Sequence, residues 1–188
     1  MTTYYHTKDS VNEYIQMAEG YSGAELIEIL KKYLVRETTV LEIGSGPGTD
    51  YQILSKDYQV TGSDFSEEFL RHLQSAIPSG SFIKIDASQF QTDNTFDAIY
   101  SNKVLQHLND EQLSSSIKSQ LSALNKNGVV CHSFWKGSGS ENFKGMLVNY
   151  QNSSSLKGLF GNHFEILHLE EYKEFEDNDS ILIIARKR

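Results

Sequence analysis

At 188 residues, 38% hydrophobic and with two prolines, the chain has the length and composition of one globular domain with a sizeable core. Its formal net charge of −8 argues against a nucleic-acid partner, because phosphate backbones are bound by basic patches. One cysteine rules out an internal disulfide, no apolar run approaches the ~20 residues of a membrane span, and the first residues lack a secretory signal's basic-then-apolar pattern; a cytoplasmic domain with no membrane contact is expected.

Two short helices are expected first. Ser10-x-x-Glu13 reads as a capping box, with Val11, Tyr14, Ile15 and Ala18 on one face until Gly20. Ser22-x-x-Glu25 opens the second, with Leu26, Ile29, Leu30 and Tyr33 as its buried stripe. The stretch Thr39-Val-Leu-Glu-Ile-Gly-Ser-Gly-Pro-Gly-Thr49 then breaks from an apolar strand into glycines at alternate positions. Such a turn lets backbone pass close to a ligand, since glycine lacks a Cβ and accepts positive φ. In an α/β sheet it lies at the carboxyl end of the first strand, where nucleotide-like ligands bind. The dinucleotide fingerprint G-x-G-x-x-G is met at Gly44 and Gly46, but its third position holds Thr49, and Gly48 comes one residue early. Glu42 stands two residues before the first glycine.

A helix over 50–56 leads to a second strand over 58–63 that ends at Asp64. Asp64 falls 20 residues after Gly44, the spacing at which a carboxylate offers two acceptor oxygens to vicinal ribose hydroxyls. The other reading of Asp64 is a cap for the helix expected over 67–77, and Phe65 is either a wall for an adenine ring or a core residue. A third strand over 81–85 runs into Asp86-Ala87, and a fourth over 96–102 runs into Lys103-Val-Leu-Gln-His-Leu108. Asn109-Asp-Glu starts a helix that Asn127-Gly128 ends, before a fifth strand over 129–135. A flexible loop follows, then helical spacing of Phe143, Met146, Leu147 and Tyr150. Strands over 164–172 and 180–185 close the chain as an antiparallel hairpin, whose acidic stretch 170–179 reads as solvated.

The L-E-I-G-S-G-P-G-T stretch, the acidic residues after the second and third strands, and the Ser101-to-Leu108 segment together resemble class I S-adenosylmethionine-dependent methyltransferases, over about residues 40–135. The resemblance implies an α/β, three-layer Rossmann-like sandwich: a seven-stranded, mostly parallel sheet ending in an antiparallel hairpin, within a single domain over 1–188. Residues 1–36 would form a helical lid and 37–188 the core. It implies S-adenosyl-L-methionine as cofactor, S-adenosyl-L-homocysteine as product and a small-molecule acceptor. The cofactor would meet Tyr14, Tyr21, Glu42, Gly44, Ser45, Gly46, Gly48, Asp64, Phe65, Asp86, Ala87, Ser101, Asn102 and Val104. Asp86 would accept from the adenine amino group, with a turn aspartate as the alternative. Tyr4, Tyr5, Lys103, His132 and Trp135 would line the substrate pocket. His107, whose free pKa is ~6.5, is the candidate general base, with a structural or cofactor-neighbouring role as its alternative. The six histidines show no H-x-x-x-H spacing, and no metal is expected. Two other readings stay open: an NAD(P)-dependent oxidoreductase, disfavoured by Thr49 and the terminal hairpin, and a non-catalytic cofactor- or partner-binding module on the same fold.

Overall fold

The computed structural model describes residues 7–143 and 145–188. Helix α1 (Lys8–Met17) is capped by Thr7, whose hydroxyl accepts from the Ser10 amide at 3.2 Å. The cap thus lies three residues before the expected Ser10. Helix α2 (Ala24–Leu30) starts after Gly23 with no side-chain cap, and Leu26, Ile27 and Leu30 are its buried face. Strand β1 (Thr39–Ile43) enters the glycine turn, and α3 (Thr49–Leu54) leaves it. Next come β2 (Gln59–Asp64), α4 (Glu67–Ala76), β3 (Ser81–Lys84) and β4 (Phe96–Asn102). A one-turn 3-10 helix, Leu105–His107, precedes α5 (Asp110–Ala123), which opens with a full capping box between Asn109 and Gln112. Strand β5 (Leu124–Trp135) follows directly.

The segment after β5 departs from expectation. Phe143, Met146, Leu147 and Tyr150 match helical spacing, but the chain forms a hairpin of β6 (Ser140–Phe143) and β7 (Met146–Asn149). Gly145 turns it at φ 79°, and Met146 and Val148 alternate into the buried side. The polar stretch beyond is helix α6 (Ser153–Phe160), started by a capping box between Asn152 and Ser155 and anchored by buried Leu156 and Phe160. Strands β8 (Phe164–Tyr172) and β9 (Ser180–Lys187) form the expected antiparallel hairpin.

The seven-stranded sheet runs β3-β2-β1-β4-β5-β9-β8. Pairings from β3 to β5 are parallel, while β9 is antiparallel to both β5 and β8. Its central strands are apolar at consecutive positions because both faces are covered. Leu41, Ile99, Val130 and Ile183 face α5 and α6, while Val40, Ala98, Val129 and Leu182 face α2 and α3. Asp97 ties the far end together: it accepts from the Thr39 amide at 3.0 Å and from Asn125 at 2.8 Å. Strand order reverses between β1 and β4, which leaves a crevice at their carboxyl ends.

Candidate functional site

A cavity of about 260 Å³ occupies that crevice. The glycine turn forms its floor, with Gly44, Gly46 and Gly48 all at positive φ. A Cβ on Gly44 would come within 2.5 Å of Val104, and one on Gly48 within 2.7 Å of Leu73. Gly44 thus lets β1 approach the 3-10 turn, and Gly48 seats α3 against α4. Among the described residues only a Tyr14 ring carbon, at 3.9 Å, is near a Cβ placed on Gly46, so this position keeps the cavity open. Ser45 donates to Glu42 at 2.5 Å and accepts from the Ser63 amide at 3.1 Å. Glu42 is buried, which pushes its carboxyl up to about 8 against the Ser45 hydrogen bond.

Asp64 faces the cavity from the end of β2 and accepts from the Gly46 amide at 3.1 Å and the Ser66 amide at 2.9 Å. Ser66, not Asp64, caps α4 by accepting from the Phe69 amide. Phe65, Ile85, Ala87 and Leu108 complete an apolar slot on this side. Tyr14 lies across it, edge-on to Phe69 at 5.7 Å, and burial raises its phenol, with Asp64, Asp50 and Glu174 adding to the effect.

The other half of the cavity is built on Asn102, Lys103, Val104 and His107. Asn102 accepts from Ser133 at 2.5 Å and donates to Asp50 at 3.1 Å. Asp50, in the first turn of α3, also accepts from the Gly23 amide at 2.6 Å and from Tyr100 at 2.8 Å, joining the N-terminal helices to the sheet. Lys103 adopts a left-handed backbone conformation, φ 56°, and its ammonium donates to the Phe134 carbonyl at 3.1 Å and to Ser180 at 2.6 Å. It pairs with Glu174 at 3.0 Å and lies 3.7 Å over the Trp135 ring. Burial pulls this lysine down to about 8, opposed by Glu174. His107 Nδ1 is 2.7 Å from the Leu147 carbonyl, which only accepts; Nδ1 therefore carries the proton and Nε2 is the bare nitrogen of the neutral ring. Burial lowers the His107 pKa, so the neutral form prevails at neutral pH.

Residues 40–128 match the family model described as a methyltransferase domain. Over those residues, just under half of its length, the chain resembles a methyltransferase domain. Trans-aconitate 2-methyltransferase of Escherichia coli (strain 55989 / EAEC) is 30% identical over 94 residues, 48% of this chain and 36% of that protein, so the match spans about a third of its relative's length. The 1,6-didemethyltoxoflavin-N1-methyltransferase of Burkholderia thailandensis, solved with 1,6-didemethyltoxoflavin and S-adenosylhomocysteine, shares the fold at TM-score 0.80 and 18% identity, covering 95% of this chain and 84% of that one. The N-methyltransferase NodS of Bradyrhizobium japonicum WM9, in complex with S-adenosyl-L-homocysteine, does so at TM-score 0.73 and 16% identity, covering 96% and 97%.

The cavity gathers Tyr14, Tyr21, Glu42, Gly44, Ser45, Gly46, Asp64, Phe65, Ala87, Asn102, Lys103, Val104 and His107 from the sequence-derived set. Others lie elsewhere. Gly48 packs α3 on α4 rather than lining the cavity. Asp86 stands between the lining residues Ile85 and Ala87, and its Oδ1 makes a turn by accepting from the Ser88 amide and hydroxyl at 2.9 and 2.6 Å. Ser101 and His132 are fully buried within the sheet, 2.8 Å apart, and His132 Nε2 lies 2.8 Å from Gln120 of α5. Strand alternation explains this, since Ser101 and His132 pair across β4 and β5 and face α5, while the cavity sits beyond the strand ends. Trp135 stands behind Lys103 and stacks on Phe175 at 5.7 Å. Tyr4 and Tyr5 lie outside the described residues. Two acids among the lining residues were missed. Asp50 reads in the sequence as a helix-start acid, and Glu174 as part of a solvated acidic turn.

Proposed function

We propose that the protein is an S-adenosylmethionine-dependent methyltransferase acting on a small molecule, with His107 as the proton acceptor. One observation carries the choice of cofactor. The cavity presents the side chains of Asp50 and Asp64, and its one cationic lining residue among those described, Lys103, is already paired with Glu174. A pyrophosphate would meet carboxylates with no free cation to offset them, whereas a sulfonium cofactor suits such a wall. The residues present also fit its other parts. Asp64 offers acceptors for ribose hydroxyls, Phe65, Ile85, Ala87 and Leu108 give an adenine-sized apolar slot, and Tyr14 and the Gly46 turn flank the amino-acid end.

When bound, S-adenosylmethionine supplies a methyl group on a sulfonium leaving group. The protein's own contribution is largely alignment, which can account for many kcal/mol of a barrier when the reacting atoms are held in line. Asn102, fixed by Ser133 and Asp50, and Val104, wedged against Gly44, form the rigid floor at the β4 end. His107 Nε2 takes a proton from an acceptor that carries one, because Leu147 holds the opposite nitrogen protonated. The net charge of −8 supports a small acceptor rather than a nucleic acid.

Calorimetry should register S-adenosylhomocysteine and not NADH; binding of NADH alone would overturn the cofactor reading. His107→Asn should lower kcat by roughly 10²–10⁴-fold while leaving S-adenosylhomocysteine affinity unchanged. The lowered His107 pKa moves the acid limb of the kcat/KM profile to lower pH than a free histidine would give, with rate lost as pH falls through it.

A further inference from the structure

The wall built by the β8–β9 turn is given no part in holding the adenosyl group in the reading above, and its chemistry is unlike the rest of the cavity. Glu174 lines the cavity from the turn between β8 and β9, in the β4-β5-β9-β8 half of the sheet, whereas Asp64 stands at the end of β2 in the other half. Its Oε2 is the atom paired with Lys103, and the longer contacts from Tyr172 and Ser180, both 3.4 Å, also fall on Oε2. Among the described residues no hydrogen bond falls on Oε1. Lys103, conversely, spends its three N–H groups on Phe134, Ser180 and Glu174 and has none left for a ligand. The free recognition capacity of this half is therefore an acceptor oxygen, not a donor cation. Beside it Tyr21, which lines the cavity, meets Phe175 edge-on at 5.3 Å, and Phe175 lies against Trp135. The same wall already solvates one primary ammonium, that of Lys103, by a carboxylate and the faces of Trp135 and Tyr172, at 3.7 and 5.3 Å.

We propose that the methyl acceptor is an amine bearing an aromatic or apolar body, its ammonium received by Glu174 Oε1 and its body lying against Tyr21 and Phe175. This rests on the methyltransferase reading above and names its substrate class. It separates this protein from a carboxylate-methylating enzyme, which needs a cation or donor cluster that Lys103 does not supply. The chemistry balances: the bound ammonium gives a proton to His107 Nε2, the freed nitrogen lone pair forms the N–CH3 bond, and the C–S electron pair stays on sulfur. The product is the methylated ammonium and the neutral thioether, and the imidazolium returns its proton to solvent.

Trp135 is the chain's one tryptophan and lies behind this wall, so intrinsic fluorescence reports on it directly. With S-adenosylhomocysteine bound, phenethylamine should give a saturable change, and 3-phenylpropanoate, of similar shape, should bind at least about tenfold more weakly. Glu174→Gln should weaken phenethylamine about tenfold or more with S-adenosylhomocysteine affinity, measured by calorimetry, unchanged. Lys103→Met, which removes the carboxylate's internal partner, should tighten phenethylamine. Equal or tighter binding of the carboxylate, or an amine affinity indifferent to both substitutions, overturns the proposal while leaving the methyltransferase reading in place. Failure of S-adenosylhomocysteine to bind the unaltered protein overturns both.

Discussion

Asp50 makes three connections through one carboxylate: to Gly23 before α2, to Tyr100 inside β4 and to Asn102 at the cavity floor. Asp50→Asn keeps the shape but puts an NH2 group where one carboxylate oxygen was, so at least one part-buried donor, the Gly23 amide when the amide oxygen faces Tyr100 and Asn102, loses its acceptor, at about 1–3 kcal/mol. We expect the Tm to fall and S-adenosylhomocysteine to bind at least about tenfold more weakly, because the N-terminal helices lose their tie to the floor. A calorimetric titration beside a melting curve checks both. Glu42 gives the opposite sign. Its folded-state pKa is raised to about 8, so the folded protein keeps a proton that the unfolded chain releases above ~4.3, and stability drains away as pH rises from ~4.3 to about 8. Glu42→Gln removes that titration. In the cofactor-free protein it should raise the Tm at pH 7.5 and flatten the pH dependence over that window.

At the scale of elements, the glycine turn shows why some features were legible and others not. Gly44, Gly46 and Asp64 were readable because each answers a local demand: positive φ, or an acid at a strand end. Gly48 was readable as a turn glycine but not for its contact, since Leu73 stands 25 residues away in sequence. A Gly48→Ala change meets both an 88° φ and a 2.7 Å contact with Leu73, and should cost about 2–3 kcal/mol, a Tm drop of roughly 5–10 °C. Differential scanning calorimetry decides this; an unchanged Tm would mean that α4 yields freely. The β6–β7 hairpin was misread because four apolar residues at helical spacing outvoted Gly145, and no local signal says that Phe143 stays exposed. That hairpin supplies the Leu147 carbonyl that fixes the protonation of His107, so the proposed base could be singled out in the sequence while its hydrogen-bond partner could not.

For the molecule as a whole, the doubly covered sheet and its terminal hairpin followed from apolar runs and their alternation with helices, whereas long-range polar pairings did not. Asp50 to Gly23 and Glu174 to Lys103 depend on the fold bringing distant segments to one crevice. The buried Ser101–His132–Gln120 line belongs to the same class, and it sets an acid limit on stability. Burial pushes the His132 pKa down to about 3, so below ~6.5 the unfolded chain gains a proton that the folded one refuses. Stability should decline as pH falls from ~6.5 towards 3, by up to about 1.4 kcal/mol per pH unit from this residue. Urea unfolding at pH 4.5 and 7 measures the slope. His132→Gln, which does not titrate, should show a shallower one, and an equal slope in both proteins would assign the acid sensitivity elsewhere.

Strand β9 is made after every other strand described, yet it sits inside the sheet between β5 and β8. During synthesis, β5 therefore carries an open, apolar edge until residues 180–187 have left the ribosome, and such an edge invites pairing with another chain. The turn that carries Glu174 is tied down only at that moment, by Ser180 and Lys103. A ribosome stalled before Ser180 should hold a chain that is sensitive to protease and prone to aggregate. Release of the next eight residues should convert it to the resistant form in one step, so that assembly of the acceptor wall and closure of the sheet are a single event in the life of each new molecule.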